Sequence, residues 1–373
     1  MNNTSLNLRS RAPPESRDEL FSVVLIIISI LGACGNSTVI MVVVMNKRLH
    51  TFTNYLLVNL SVADFLVSVV AIPFRVIHGH DSGEVLPPCH VTLGLTVLFD
   101  GASRINITLI ALDRLIAIKW PFKYRQLSTI KVLLSSVVCV WIFGVVFGLL
   151  PVNGIGLNSG ETRKEMCFFH SSLSDSYVYS YLVLFCILPL VIVVPVNVFL
   201  FTASYKQMRT MHQQCMNLGV IAPAPSPQNS ELASVEINTG INQQRAPRTR
   251  HRTLRTAVLQ SRVIRMVATL IGAFVIAVVP ITVIDLLQVI SKGVIPVPFV
   301  AARVAVCMIY TNAVINAFVY AGFNSEFRRT FRRIYRRDDG FSSNGGNRDR
   351  RRGPGEFQGS ALNSYHLSGL SAK

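Results

Sequence analysis

Four aspartates, Asp64, Asp100, Asp113 and Asp285, and four arginines, Arg75, Arg104, Arg114 and Arg303, lie within or at the ends of long apolar runs. An ionisable side chain there costs free energy unless it is paired or used, so each marks a functional position by default. Spacing sorts them. Asp100 and Arg104 stand four apart with the acid first, the arrangement of a local helical ion pair. Asp113 and Arg114 are adjacent where an apolar run gives way to basic residues, and can pair at a helix end. Asp64 sits mid-run in NLSVADFL, with Pro73 nine residues further on. The chemistry open to these groups is recognition of charge and exchange of ionic partners. No Cys-x-x-Cys or Cys/His spacing points to a metal site.

Such side chains need a scaffold that hides them, and composition identifies its solvent. Half of the 373 residues are hydrophobic, only 15% are charged and the mean hydropathy is +0.44, which argues against a soluble globular domain. Seven apolar runs are long enough to cross a bilayer, centred near Ile30, Phe65, Ile105, Val140, Val191, Phe274 and Ile309. The first, Phe21 to Met45, is too long for a signal-peptide core and lacks a small-residue cleavage pattern, so it is expected to remain as an anchor. The expected fold is an all-α membrane protein, a seven-transmembrane helix bundle followed by a short amphipathic interfacial helix.

The net charge of +17 invites a nucleic-acid reading, but its distribution argues against one. Basic residues follow the first, third and seventh runs and fill the segment between the fifth and sixth, among them Lys47, Lys119, Lys131, Arg209 and the arginines from Arg328 to Arg337. Segments on the other side mix signs, as Arg163 and Lys164 do among Glu161, Glu165 and Asp175. The positive-inside rule then predicts an extracellular N-terminus and a cytoplasmic C-terminus, as in a multi-pass plasma-membrane protein. From Cys89 to Arg114 a continuous helix would run about 37 Å, somewhat more than a hydrocarbon core of roughly 30 Å. Of seven cysteines only Cys89 and Cys167 fall in predicted exterior segments, where they can pair.

Residues 1–19 read as a polar exterior segment with overlapping glycosylation sequons at Asn2 and Asn3. Residues 20–322 hold the spans. Within them 211–250, rich in Gln, Asn, Ser and Pro, reads as an irregular cytoplasmic loop, and a basic helical extension from Arg252 leads into the sixth span. Asn36, mid-membrane, reads as interhelical glue. Residues 323–337 repeat Phe323, Phe327 and Phe331 against paired arginines, the pattern of an interfacial helix, and 338–373 read as an irregular tail.

These features, in order and spacing together, resemble the rhodopsin-like G protein-coupled receptors over about residues 20–336. The match comprises Gly35-Asn36, the LSVAD box ending in Asp64, Cys89 with Cys167, ALDR ending in Asp113-Arg114, Trp141, Pro189, Pro280, and Asn312 through Tyr320. The segments AIPF, PFKYRQL and YAGFNSEFRRTF look closest to the biogenic-amine and adenosine branches. The resemblance implies binding of an extracellular ligand, a small amine-like molecule or small peptide, and nucleotide exchange on a cytosolic heterotrimeric G protein. It implies no bond-making site and no cofactor beyond an allosteric sodium ion. Arg114 would be held by Asp113 when inactive and released toward Tyr320 when active, with Asn316 in the same switch. Asp64, Ser103, Asn312 and Asn316 match the family's sodium pocket. Arrestin recruitment through tail serines such as Ser342, and contact of Phe327, Phe331 and the arginines with membrane lipids, are further implied partners.

Several positions depart from the family pattern. Leu115 follows Arg114 where a tyrosine is usual, Ala317 replaces a proline, Asn197 a tyrosine and Val278 a tryptophan. The start of the sixth run, TAVLQSRVIR, lacks the acid that often restrains the arginine, which predicts weak restraint and some basal signalling. Ligand-pocket candidates are Thr96, Asp100, Asp285, Arg75, Arg303 and Tyr310. Thr96 stands where amine receptors carry an aspartate, whereas the arginines suit a carboxylate or peptide. Other classes fit less well. A retinal photoreceptor needs a lysine in the seventh span, which has none, and a transporter predicts internal repeats that are not visible. A ligand-binding receptor of the same fold with weak or no G protein signalling is the alternative.

Overall fold

The computed structural model describes residues 14–79, 88–157, 169–217, 248–292, 294–324 and 327–333. Helix α1 is Pro14–Met45. Helix α2 joins Phe52–Leu66, a π-turn Val67–Ala71 and Ile72–Gly79. Helices α3 and α4 are Cys89–Lys119 and Ile130–Val152. Helix α5 joins Asp175–Tyr181, a π-turn Leu182–Ile187 and Leu188–Asn217. Helices α6 and α7 are Arg248–Ile290 and Phe299–Phe323, and a short α8 covers 327–333. The first seven are long and apolar enough to cross a membrane, so the chain is an all-α, seven-span bundle.

Local signals explain where these elements begin and bend. Thr51 and Thr129 accept hydrogen bonds from the amides of Asn54 and Val132, capping α2 and α4. Trp120, ahead of Pro121, leaves the helical region at φ −134°, ψ 68°, which ends α3, and the proline opens a short helix Pro121–Leu127. Both π-turns stand directly before a proline, Pro73 in α2 and Pro189 in α5. In each case the preceding turn is widened by one residue, which relieves the clash between the proline ring and the carbonyl a turn earlier.

Helix α3 runs through the middle of the bundle and packs on α2, α4, α5 and α6. Two-thirds (67%) of its span window is buried, against 28% for α1 and 22% for α4. Its approach to α4 needs glycine on both sides: a Cβ on Gly94 would meet the Gly148 carbonyl oxygen at 2.4 Å, and one on Gly148 would meet that of Gly94 at 2.7 Å. Beside this contact, Phe143, Phe147, Phe185 and Tyr181 pack ring on ring with centroids 4.9–5.8 Å apart. The outer faces are apolar and exposed, as at Ile30, Ile142 and Phe201, the surface lipid requires.

Three boundaries differ from expectation. Helix α1 starts at Pro14, inside the 1–19 stretch read as a polar exterior segment, because a proline in the first turn lacks only an amide hydrogen the helix does not use. Helix α5 continues to Asn217 and α6 begins at Arg248, both inside the 211–250 segment read as a loop, since each extends a helix already nucleated in its span. In α8, Phe327 is buried edge-on against Tyr320, with centroids 5.2 Å apart, and is not spread on lipid. Asn46 at the end of α1 donates to Thr330 at 2.6 Å, holding α8 to the bundle.

Candidate functional site

Three polar clusters lie along α3. In its N-terminal half a cavity of about 40 Å³ is lined by Arg75 from α2, Thr96, Asp100 and Arg104 from α3, Tyr181 from α5, Asp285 from α6 and Tyr310 from α7, with Phe169 from the short helix Phe169–Ser172 ahead of α5. Five of the six ligand-pocket candidates thus meet in one place. Arg303 does not line it: its guanidinium lies over the Phe299 ring at 3.7 Å and faces Phe21. Thr96 and Tyr310 touch through their hydroxyls at 3.4 Å. Arg104 Nη2 stands 2.5 Å from Asp100 Oδ2, with both side chains buried, and Arg104 Nη1 donates to Cys186 Sγ at 2.7 Å. The guanidinium lies 5.6 Å from the Tyr181 ring centroid. Asp100 therefore has a resident cation, and Arg104 points toward α5, away from Asp64.

At mid-bundle, Asp64 gathers α2, α3 and α7. Ser103 Oγ donates to its Oδ1 at 2.6 Å and Asn316 Nδ2 to its Oδ2 at 2.8 Å. The Oδ1 atoms of Asn312 and Asn316 are buried without a hydrogen-bond partner. A carboxylate, a hydroxyl and orphaned amide oxygens are hard oxygen donors, a chemistry that fits a monovalent cation. Beside this cluster Trp141 Nε1 donates to Asn59 Oδ1 at 2.9 Å, and Asn59 donates to Asn106 at 2.7 Å. Asn36 donates to the Ala313 carbonyl at 3.0 Å, joining α1 to α7. Among the described residues no group of three or more His, Cys, Asp or Glu side chains is placed to hold a metal.

Near the C-terminal end of α3, Arg114 Nη2 reaches Asp113 Oδ2 at 2.6 Å and Nε reaches the same oxygen at 2.9 Å. Two further partners come from outside α3. Arg114 Nη2 also donates to Thr53 Oγ1 of α2 and, at 3.0 Å, to the hydroxyl of Tyr124 in the short helix that follows α3. Thr53 Oγ1 in turn donates to Asp113 Oδ2 at 2.9 Å. Burial holds the Tyr124 hydroxyl above its usual pKa, so it stays protonated at neutral pH. The hydroxyl of Tyr320 donates to Asn54 at 3.4 Å, one residue beyond Thr53, and not to Asp113 or Arg114. Sequence reasoning placed the Asp113-Arg114 pair and missed Thr53 and Tyr124. The only available signal for Tyr124 was its place in PFKYRQL, and nothing in the local sequence distinguishes Thr53 from a helix-start threonine.

At the start of α3 Cys89 is disulfide-bonded. Cys167, Asn2 and Asn3 lie outside the described residues. Asn197, where a tyrosine is usual, has a buried Oδ1 without a hydrogen-bond partner and faces α6 near Gly272.

Seven membrane-crossing helices with three polar clusters along α3 define a multi-pass membrane protein. The sequence model described as 7 transmembrane receptor (rhodopsin family) matches residues 35–320, most of the chain. Among curated proteins the chain is similar to the dopamine D2-like receptor of Drosophila melanogaster, 32% identical over 51% of this chain and 20% of that one. It is also similar to the human adenosine receptor A2a, 25% identical over 83% of this chain and 70% of the receptor, and to the human 5-hydroxytryptamine receptor 2C, 36% identical over 38% and 31%. Coverage of these relatives thus ranges from about a fifth to somewhat over two-thirds of their length. The chain belongs to the rhodopsin family of seven-transmembrane receptors, a family of receptors and not of enzymes.

Proposed function

We propose that the chain carries the binding of an extracellular ligand across the plasma membrane to a heterotrimeric G protein, with its N-terminus outside and its C-terminus in the cytoplasm. The observation that carries this reading is that a single helix, α3, bears the cavity charges Asp100 and Arg104, the Asp64 partner Ser103, and Arg114 with its three tethers. Ligand-induced movement of α3 would loosen the inner tethers and free Arg114 for the G protein, with Asn316 and Tyr320 repacking on α7. A sodium ion held by Asp64, Ser103, Asn312 and Asn316 would favour the quiet state. Cys89 paired to Cys167 would pin the outer end of α3, Asn2 and Asn3 would carry glycans, and arrestin and anionic lipid would meet the tail and α8. The test is a screen of amines, nucleosides, amino acids and short peptides on cells expressing the chain, read by dissociation of each G protein class. A response absent from mock-transfected cells supports the reading. A chain that reaches the surface and binds a ligand without dissociating any G protein supports the non-signalling alternative.

A further inference from the structure

Helices α4 and α5 both pack on α3. They are joined to each other where Tyr177 of α5 donates to the Phe147 carbonyl of α4 at 2.8 Å and where Phe143 and Phe147 pack on the Phe185 ring. Further along, toward Ser135 on α4 and Ile192 on α5, a groove of about 470 Å³ separates them, floored by Ile105, Thr108 and Leu109 of α3. That volume lies within the roughly 300–1,000 Å³ of sites that take a whole small molecule, and it is far larger than the cavity around Asp100. Three of its lining residues, Ser135, Cys139 and Leu188, are exposed on spanning helices, so the groove opens on the outside of the bundle and in a membrane faces lipid.

Among the described residues no charged side chain lines this groove, so it offers nothing to a phosphate, carboxylate or ammonium headgroup. Its oxygens belong to hydroxyls. Ser135 and Ser136 each donate to the Val132 carbonyl, at 3.1 and 2.8 Å, and Thr108 donates to the Arg104 carbonyl at 3.0 Å. With their hydrogens committed to the helix, these oxygens are left to accept from a hydroxyl on the ligand. Ser135 is five residues past Ile130, where α4 begins, which is about 7.5 Å along the axis and close to the membrane interface. From Ser135 to Phe143 the groove follows α4 for about 12 Å, the scale of a fused-ring body and less than an extended acyl chain.

We infer that this groove binds a membrane sterol, with the single hydroxyl at Ser135 and Ser136 and the ring body lying past Cys139 and Pro189 toward Phe143. A neutral lipid with one hydroxyl matches a lining that has acceptors and no charge. A rigid ring system loses little conformational freedom on entering a walled groove, whereas an acyl chain of the same bulk gives up each of its rotatable bonds. A sterol seated there touches three spans at once. Ile105 directly follows Arg104, and Leu184 belongs to the π-turn whose Cys186 accepts from Arg104, so occupancy clamps that turn of α5 against α3. Nothing in this site depends on coupling to a G protein.

Two free cysteines supply an internally controlled test, because Cys139 lines the groove and Cys34, also exposed, lies outside it on α1. The full chain is placed in phosphatidylcholine nanodiscs without sterol, with cholesterol, or with the mirror-image isomer of cholesterol, which orders the bilayer alike but has the wrong handedness for a protein site. Labelling of each cysteine by N-ethylmaleimide is followed by mass spectrometry of its peptide. Cholesterol is expected to slow labelling of Cys139 about tenfold and to leave Cys34 unchanged, while the mirror image slows neither. Cholesterol also raises the unfolding temperature. Filling the groove with Cys139→Trp, or removing its acceptors with Ser135→Ala/Ser136→Ala, abolishes the rise, whereas Val138→Trp, at an exposed α4 position outside the lining, keeps it. Equal slowing of both cysteines, or slowing by both isomers, would be an effect of the bilayer and not of a site. Slowing of neither cysteine, or a Cys139 that stays unlabelled without sterol, would leave no open groove to fill. A fatty alcohol or diacylglycerol that protects Cys139 as strongly would give the groove to a chain lipid. Each of these results overturns the assignment.

Discussion

Tyr124 stands with its hydroxyl 3.0 Å from Arg114 Nη2, reaching back from the short helix after α3 to the arginine that ends α3's polar chain. With Thr53 it supplies from α2 and the connecting helix the restraint that the sixth run does not provide. The sequence predicts a weakly held arginine because TAVLQSRVIR contains no acid. The structure holds Arg114 by two neutral hydroxyls and the adjacent carboxylate. A restraint built on α2 and the loop leaves α6 free to move without first breaking an ion pair.

Removing these hydroxyls raises ligand-independent activity. Each is a charge-assisted hydrogen bond to a guanidinium, worth about 1.5–3 kcal/mol, so its loss shifts the balance toward the released state about tenfold or more. Tyr124→Phe and Thr53→Val are expected to raise basal nucleotide exchange at equal surface expression, with Tyr320→Phe showing a smaller effect because it bonds to Asn54. Basal exchange unchanged in both Tyr124→Phe and Thr53→Val places the restraint elsewhere.

The mid-bundle oxygen cluster predicts a sodium-dependent stability. Sodium bound to the folded state alone stabilises it by mass action. Replacing N-methylglucamine chloride by sodium chloride at equal ionic strength raises the unfolding temperature of the wild-type chain, and Asp64→Asn abolishes the difference. An equal response in the variant would show that the salt acts nonspecifically.

The sequence made the scaffold legible and the partners much less so. Seven spans, and the paired residues Asp100-Arg104 and Asp113-Arg114, announce themselves because hydropathy over a span and contacts within one helical turn are both local signals. Thr53 to Asp113, Asn59 to Trp141 and Arg104 to Cys186 cross between helices, and nothing local encodes which faces meet. Arg303 shows the reverse error. A charge in the outer half of a span reads as a pocket residue, yet at its position on α7 the side chain turns onto Phe299 and Phe21. Ends of helices were least legible, since α1, α5 and α6 run past their apolar cores.

The α3–α4 contact sets a steric limit that a stability measurement can read. A Cβ at residue 94 or 148 falls within 2.4–2.7 Å of the other glycine's carbonyl oxygen, a backbone atom that cannot rotate away. Gly148→Ala is expected to force the helices apart and lower the unfolding temperature, while Gly322→Ala, where a Cβ meets nothing within 4 Å, leaves it nearly unchanged. Equal stability in the two variants would mean that α4 shifts at no cost.

The Asp100–Arg104 pair makes the sharpest energetic prediction, because both members are buried and α3 is the helix on which the other clusters depend. Removing one partner strands the other charge in a low-dielectric interior, a loss of about 3–5 kcal/mol, whereas removing both exchanges the pair for packing at little cost. Asp100→Asn is the milder single change, since an amide still accepts from the guanidinium. Arg104→Met leaves Asp100 to protonate or to draw a cation from the cavity. The expected order of unfolding temperature is wild type and the double variant Asp100→Leu/Arg104→Met close together, then Asp100→Asn, then Arg104→Met. In a double-mutant cycle the coupling energy is favourable and exceeds that of an exposed i,i+4 pair, which is about 0.3–0.5 kcal/mol. The cycle also bears on cation binding. In Arg104→Met, Asp100 loses its resident cation, so a simple alkylamine should raise the unfolding temperature more than it does for the wild type. A variant as stable as wild type and no more responsive to amines would show that the pair contributes no coupling.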